Sequence, residues 1–362
     1  MKQRLDGISN IQITFLISSA ITGVTVLSLP RIASEAAGTD GVFVILIAGI
    51  VSSSILVLIA LLANRFPKDT IIEYSSKIIT PLPGKAAGVG LFIYLLGVSG
   101  TVLRNFADVI KGFILRQTPL EIIMILFAFT VLYMVLKGIL TISKICELFE
   151  PMVIGALGLL IILSFKNFNI ENLYPLFEKG VNPYLRGTLD LLPVFLGYEI
   201  LLFVFPFARN KSNVLKYSLF GFLMPLLMFV TLTFVAIGVY GADATGRSLY
   251  PTLQLAKYIV FPGAFAERFD IFFMIFWIFA SFTTMSIYYY LASLSITRVF
   301  GLKNYKPFAV LMLPFVFMIG ILPQNILQIL DFSEYISLIG LGVLVFSMIL
   351  LAISFILRKK EG

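Results

Sequence analysis

The sequence predicts an all-α integral membrane protein, a single transmembrane domain over residues 1–362 with ten helices in two inverted repeats of five. Three observations support this prediction. The chain is 59% hydrophobic and 13% charged, whereas about 25% of the residues of a soluble domain are charged. It contains ten apolar runs that are long enough to cross about 30 Å of hydrocarbon. The run that begins each half is interrupted by residues that weaken a helix.

Segments that are polar or rich in proline and glycine separate the apolar runs. The ten predicted spans are 10–34, 41–63, 86–113, 120–137, 142–164, 186–208, 214–240, 267–298, 307–322 and 333–357. Repeat one covers about 10–164 and repeat two about 186–357. Because five is an odd number, the second repeat enters the membrane from the opposite side, so the repeats are inverted.

The distribution of lysine and arginine predicts that both termini are cytoplasmic. With the N-terminus inside, seventeen basic residues fall on the cytoplasmic side and nine outside, while Arg104 lies within the third span. Cytoplasmic loops of membrane proteins carry such an excess. The same bias accounts for the net charge of +8, so we expect contact with the lipid bilayer and no nucleic-acid partner.

The composition argues against an enzyme. The chain has no histidine and one cysteine, Cys146, which excludes histidine-based triads, most zinc sites and disulfide frameworks. It also lacks a phosphate-binding loop and paired catalytic carboxylates. We therefore expect no cofactor and no metal centre, and any proton chemistry must use Asp, Glu, Lys or Tyr.

The sixth apolar run, residues 191–206, contains Pro193, Gly197 and Glu199. Proline and glycine both weaken a helix, so we expect it to unwind there. A carboxylate inside a membrane segment costs at least ~2.5 kcal/mol and usually has a function, which makes Glu199 the first site candidate. Glu199 would bind a substrate ammonium group, carry a coupling proton or brace the broken helix. Phe195 and Tyr198 would flank the pocket or simply pack.

The first run contains a matching interruption at residues 21–30, ITGVTVLSLP. Backbone N–H groups freed near Thr22, Gly23, Val24 and Thr25 would lie at the start of a half-helix, where the positive end of the dipole attracts a carboxylate. The alternative is a kink that serves close helix packing. Interrupted helices in corresponding places of two repeats point to a binding site near the membrane midplane.

These two segments resemble the amino acid–polyamine–organocation superfamily, whose sixth helix has a Phe-x-Gly-x-Glu-like break; here it reads FLGYE at 195–199. GVTVLSLPR at 23–31 and the ten-span length are similar to the spore germination permease family, the B subunits of nutrient germinant receptors. The resemblance implies a LeuT-like fold, a small germinant that is often an amino acid, and assembly with an A subunit and a lipoprotein C subunit in the spore inner membrane. Thr25 replaces a glycine of the family's first break and narrows the space beside the ligand.

Two polar groups outside the breaks are further candidates for a cation site or a gate. Arg104 and Asp108 are four residues apart on the third span, where an internal ion pair would form. Ser281 and Thr284 lie on the eighth span, whose hydroxyls bind a cation in sodium-coupled relatives of this architecture but can also bond to their own backbone.

Glu147 and Glu150 are interpreted as first-turn residues at the inner start of the fifth helix, where carboxylates favour the helix dipole. The leading functional hypothesis is a germinant-sensing subunit. A stand-alone amino acid permease coupled to protons or sodium is the alternative, and a channel subunit with an empty pocket is a third.

Overall fold

The computed structural model describes residues 7–177, 180–259 and 268–357. Six of the basic residues counted for orientation lie outside these ranges, namely Lys2, Arg4, Lys179, Arg358, Lys359 and Lys360. The connection at 260–267 before the predicted eighth span also lies outside them. Within the described ranges the chain is helical, and β-structure is limited to an isolated parallel bridge between Ile8 and Ala208.

The α-helices of the described residues follow the apolar runs, with short helices in the connections. They are α1 (Asn10–Thr22), α2 (Thr25–Ala37), α3 (Gly41–Arg65), α4 (Ile71–Ile78), α5 (Pro81–Phe113), α6 (Leu120–Lys137), α7 (Ile139–Ser164), α8 (Asn182–Leu191), α9 (Leu201–Val204), α10 (Val214–Tyr240), α11 (Ala242–Arg247), α12 (Pro251–Tyr258), α13 (Phe269–Val299), α14 (Lys306–Ile321) and α15 (Ile326–Ile356).

Local chemistry sets several of these boundaries. Ser9 and Gln12 form a capping box that starts α1: the Gln12 N–H donates to Ser9 Oγ (3.2 Å), and the Ser9 N–H donates to Gln12 Oε1 (2.9 Å). Gly138 alone separates α6 from α7, and its φ of 88° favours glycine. Because α7 already begins at Ile139, Glu147 lies about two turns and Glu150 about three turns inside it. The interpretation of both as first-turn residues is wrong.

Seven helical segments of the described residues are long and apolar enough to cross a membrane, and the number rises to eight if a bent pair is one span. α1 and α14 are shorter apolar helices. One of the seven segments, Thr25–Arg65, contains α2, the 3-10 turn Gly38–Asp40 and α3. The molecule is therefore a multi-pass membrane protein, and the number of ten spans stays a prediction.

The first predicted interruption lies between α1 and α2, where Gly23 has a φ of 23°. The second lies between two helical pieces, Asn182–Phe195 and Tyr198–Phe207, which meet at 50°. Gly197 connects these pieces with a φ of 141°. A Cβ at Gly197 would lie 2.7 Å from the backbone nitrogen of Ile21. The two interruptions are therefore in direct backbone contact, and glycine makes this contact possible.

The interior is built around α1 and α13. α1 packs against α7, α10 and α13, and α13 packs along α5 and α7. The connection before α13 contains α12, whose Thr252 Oγ1 donates to the Val26 carbonyl at 2.7 Å. This bond attaches the connection before α13 to α2, close to the first interruption.

Candidate functional site

A cavity of about 550 Å³ adjoins the first interruption; we call it the central cavity. Helices α2, α5, α13 and α15 and the second interruption form its walls. The lining includes Gly23, Val24, Thr25, Tyr94, Val98, Thr101, Asn105, Asp190, Pro193, Val194, Trp277, Thr284, Tyr288, Ile336, Ser337 and Leu341. The cavity thus lies where the predicted interruptions meet, and its surface is mainly apolar with a few polar groups.

Backbone dipoles of opposite sign meet at the cavity wall. The first N–H groups of an α-helix have no partner within the helix. At α2 they also receive no side-chain cap from Val24, the residue that precedes the helix. Val24 and Thr25 are half-buried and line the cavity. Ala20, in the last turn of α1, lines it too. An anionic group is favoured at the start of α2 and a cationic group at the end of α1.

Glu199 lies behind this wall and is 1% exposed. Its Oε1 accepts hydrogen bonds from the hydroxyls of Tyr94 (2.8 Å) and Tyr288 (2.9 Å), and its Oε2 accepts one from the Gly197 N–H (2.5 Å). Tyr94 and Tyr288 line the cavity, whereas Glu199 does not. Of the three roles that the sequence leaves open, this geometry matches a brace that also positions two cavity tyrosines.

Phe195 and Tyr198 do not line the cavity. The Phe195 ring packs 5.4 Å from the Phe222 ring and 5.9 Å from that of Phe229. Tyr198 meets Phe222 edge to face at 5.8 Å. These contacts match the packing alternative.

The ion pair predicted on the third span is present. Arg104 Nε lies 2.8 Å from Asp108 Oδ2, and Arg104 Nη1 also donates to the Gly320 carbonyl of α14 at 3.3 Å. Neither residue lines the cavity, although Asn105 between them does. The pair thus joins α5 to α14.

The two predicted hydroxyls of the eighth span, on α13, have different surroundings. Thr284 lines the cavity, and its Oγ1 lies 2.7 Å from the Ser19 carbonyl and 2.9 Å from that of Ala280. Ser281 is buried, and its hydroxyl makes no hydrogen bond. No group of three or more Cys, Asp or Glu residues in the described ranges is placed to hold a metal ion.

The comparisons with known proteins decide the family. A family model described as "Spore germination protein" matches residues 7–329. The chain belongs to this family. It is 26% identical over 345 residues to Spore germination protein A2 of Bacillus subtilis (strain 168), covering 95% of this chain and 94% of the relative. It is 27% identical over 364 aligned positions to Spore germination protein GerLB of Bacillus cereus, covering 99% and 96%. The resemblance seen in the sequence is confirmed.

Solved structures show the fold of this spore germination protein. MhsT in complex with L-phenylalanine superimposes with a TM-score of 0.69 at 16% identity, covering 95% of this chain and 88% of that chain. Mhp1, a nucleobase-cation-symport-1 family transporter in a closed conformation with bromovinylhydantoin bound, gives 0.67 at 13% identity, covering 98% and 80%. The chain therefore has a LeuT-like transporter fold, and its family is not one of enzymes.

Glu150 is a polar centre of the germination protein that the sequence analysis missed. It is fully buried in α7 and accepts hydrogen bonds from Ser18 (2.6 Å), Ser19 (2.8 Å) and Thr22 (2.9 Å) of α1. The available signal was the cluster of these hydroxyls on neighbouring positions of an otherwise apolar run. Glu147, one turn earlier, instead accepts a bond from Gln12 Nε2 at 3.0 Å.

The mouth of the cavity carries charged and polar groups. Arg31 pairs with Glu35 at 3.3 Å, and both line the cavity with Tyr250. Burial, and secondarily the charge of Asp108, raise the pKa of Tyr250 to about 12, while Arg31 lowers it. Tyr250 is therefore a neutral hydroxyl at physiological pH and can donate a hydrogen bond to a ligand that enters.

Proposed function

We propose that this chain is the membrane subunit of a spore nutrient-germinant receptor. It binds a small germinant, an amino acid, in the central cavity and passes the resulting conformational change to partner subunits. The observation that carries the proposal is the position of the cavity at two apposed helix interruptions, with the start of α2, which has no side-chain cap, on its wall.

The dipoles and the lining match an amino acid. A carboxylate would accept bonds from the N–H groups near Val24 and Thr25, and an ammonium group would face the carbonyl end of α1 near Ala20. The side chain would lie against apolar walls such as Val98 and Ile336. Thr22, Gly197 and Glu199 act on this site indirectly, by shaping the interruptions.

The proposed architecture has ten spans in one transmembrane domain, with repeats at about 10–164 and 186–357. The seven long segments become ten in three steps. The segment Thr25–Arg65 divides into two spans, of which one is α2 joined to α1 as a broken span and the other is α3. α14 adds a span, and the bent pair adds another. α2 and α3 count separately because a Cβ at Gly41 would lie 2.5 Å from the Ala33 carbonyl oxygen, so the chain folds back there.

The proposed location is the spore inner membrane, with both termini cytoplasmic, in a complex with a germinant receptor A subunit and a lipoprotein C subunit. Ligand binding would favour one of two conformers, and the partners would detect the difference. Family membership supports this assignment.

A thermal-shift screen of the purified chain against amino acids, sugars and nucleosides tests the pocket. We expect an amino acid to stabilise the protein and the Val98→Phe variant, which fills the cavity, to abolish that shift. Val89→Phe is the matched control, because Val89 is on the same helix but 40% exposed on the outer surface. If no compound of any class stabilises a verifiably folded protein, the pocket is not a germinant site.

A stand-alone permease coupled to protons or sodium would use the same pocket, and the transporter fold favours testing it. The purified chain is reconstituted alone in liposomes under a proton or sodium gradient, and uptake of the labelled amino acid found in the screen is measured. We expect binding without net uptake. Gradient-driven accumulation that Val98→Phe abolishes would identify a permease instead.

A further inference from the structure

A second buried carboxylate has surroundings that the proposed germinant site does not explain. We propose that Glu150 is a proton-binding site between α1 and α7, and that its proton sets the hydrogen bonding at the end of α1. The proposal goes beyond germinant binding and holds for the protein without any ligand.

Glu150 has no counter-charge among the described residues. Among the ion pairs of the described residues none includes Glu150, although it is fully buried. An unpaired carboxylate at such a position is expensive to keep ionised. Its hydrogen-bond partners among the described residues are hydroxyl groups, which can accept a hydrogen bond as well as donate one.

In the part of the chain that the structure describes, the helices packed against α7 do not present a charged group to Glu150. Within α7, Cys146 is the titratable side chain beside it, Lys144 is exposed and Glu147 is bonded to Gln12. α1 contains no titratable residue. The charged side chains of the other helices that pack against α7 either contact another group or are exposed. On α13, Asp270 pairs with Arg268 and Arg298 pairs with Glu73; on α12, Lys257 lies over the Phe113 ring. On α6, Lys137 lies over the Tyr133 ring and Glu121 is exposed, and on α10 Lys216 is exposed.

The tyrosines of the same helices also contact other groups. On α13, Tyr288 donates to Glu199, Tyr289 donates to the Ala309 carbonyl, and Tyr290 packs on Tyr305. On α10, Tyr217 packs on Phe220 and Tyr240 on Tyr258. The proton state of Glu150 is therefore decided by its hydroxyl partners and by burial.

The Thr22 hydroxyl has more short contacts than it has protons. Thr22 Oγ1 lies 2.9 Å from Glu150 Oε1 and 2.9 Å from the Ser18 carbonyl oxygen, but a hydroxyl carries one proton. If Glu150 is ionised, Thr22 donates to it and the short contact with Ser18 O has no proton. If Glu150 is protonated, its O–H donates to Thr22 and Thr22 donates to Ser18 O. Every short contact then contains a proton.

The two protonation states therefore differ in the bond that Thr22 makes, and Thr22 is the last residue of α1. The next residue, Gly23, lines the central cavity. Ser19, which donates to Glu150, also offers its carbonyl to Thr284 on the cavity wall. A proton on Glu150 thus changes the hydrogen bonding of Thr22, the residue next to the cavity-lining Gly23. Linkage requires that changes at the cavity that act on this bond alter proton affinity by the same factor.

Infrared spectroscopy of the purified full chain, without ligand, tests the site. We expect the C=O stretch of a protonated carboxylic acid that disappears as the pH is raised and that is missing in Glu150→Gln. Glu147→Gln, one turn away on the same helix, must retain the band. A spectrum without a band lost in Glu150→Gln, or a band that does not titrate while the protein is folded, would overturn the proposal.

Thr22→Val supplies a second variant that keeps the shape of the side chain and removes the hydroxyl. Because Thr22 makes a different bond in each protonation state, we expect its loss to move the midpoint of the acid band by about one unit, a tenfold change in proton affinity. This variant carries the test if Glu150→Gln does not fold, and an unmoved midpoint would then count against the site.

The single tryptophan of the chain, Trp277, lines the cavity and reports on the coupling. We expect its fluorescence to change with pH at the midpoint of the infrared band, in the native chain and in Glu147→Gln. The change should be absent in Glu150→Gln. A fluorescence titration that persists unchanged in Glu150→Gln would show that the proton on Glu150 does not affect the cavity.

Discussion

The two interruptions are stabilised in different ways. The first is short, since two residues separate α1 from α2, and its nearby carboxylate, Glu150, belongs to a different helix. The second is long, includes several 3-10 turns and carries its own carboxylate, Glu199, which accepts a bond from the Gly197 N–H. One break is thus braced from outside and the other from within. The first break thus depends on the position of α7, whereas the second keeps the bond between its own Glu199 and Gly197 and is also attached to α5 and α13 through Tyr94 and Tyr288.

The largest effect is expected at Gly197, where the two breaks touch. In Gly197→Val the side chain would be placed at a φ of 141° and its Cβ within 2.7 Å of the Ile21 backbone. Strain and overlap together should cost about 4 kcal/mol of unfolding free energy. We expect a large loss of folded protein, measured by size-exclusion chromatography and thermal unfolding in detergent.

Gly155→Ala on α7 is the control, because, apart from its chain neighbours and the backbone of its own helix, no atom lies within 4 Å of a Cβ there. It should equal or slightly exceed the native protein in stability, since alanine is favoured over glycine in a helix. If Gly197→Val melted like this control, the direct contact between the breaks would not exist.

The next effect tests the inner brace. Glu199→Gln keeps the size of the side chain but replaces an acceptor oxygen by an N–H₂ group, so at least one of its three donors loses its partner. We expect a loss of about 2 to 3 kcal/mol in stability and a weaker thermal shift by the amino acid found in the screen. A variant with native stability would show that the second break does not need its own carboxylate.

A smaller effect is expected at the first break. In Gly23→Ala the Cβ would lie 2.9 Å from Thr284 Oγ1, a side-chain atom that can move, and the residue has a φ of 23°. We expect a cost of about 1 to 2 kcal/mol. The comparison of the breaks predicts that Gly23→Ala is milder than Gly197→Ala in the same thermal assay, and the reverse order would contradict it.

The smallest effect separates the two tyrosines that hold Glu199. Tyr94→Phe and Tyr288→Phe each remove one of two hydroxyl donors to the same oxygen. Each should cost about 1 kcal/mol, and the double variant should cost more than the sum because the last donor protects the carboxylate. Strict additivity in thermal unfolding would mean that the two tyrosines act independently.

Much of the fold was predictable from apolar length alone. The predicted segments 120–137 and 214–240 coincide with α6 and α10, since polar and glycine-rich residues end those runs sharply. The interruption at Gly197 was also predictable, because proline, glycine and a carboxylate occur within seven positions of one apolar run.

The site was harder to predict because its partners are distant in the chain. Tyr94 and Tyr288 reach Glu199 from two other helices, and no local pattern marks them among fifteen tyrosines. Glu150 was wrongly expected in the first turn of its helix. A single glycine separates α6 from α7, so α7 begins earlier than the polar residues before Glu150 suggest. The depth of a residue in a helix depends on that helix's first residue, which apolar runs locate poorly.

The bridge between Ile8 and Ala208 has a consequence for biosynthesis. The Ile8 N–H donates to Phe207 O (2.8 Å), and the Arg209 N–H donates to Ile8 O (2.9 Å), so the segment before α1 completes its hydrogen bonds with residues from the other repeat. During translation the N-terminal end of α1 therefore lacks these bonds until residue 209 has left the ribosome and passed the insertion machinery. A segment synthesised before the first repeat thus reaches its final position only after the second repeat has begun to form.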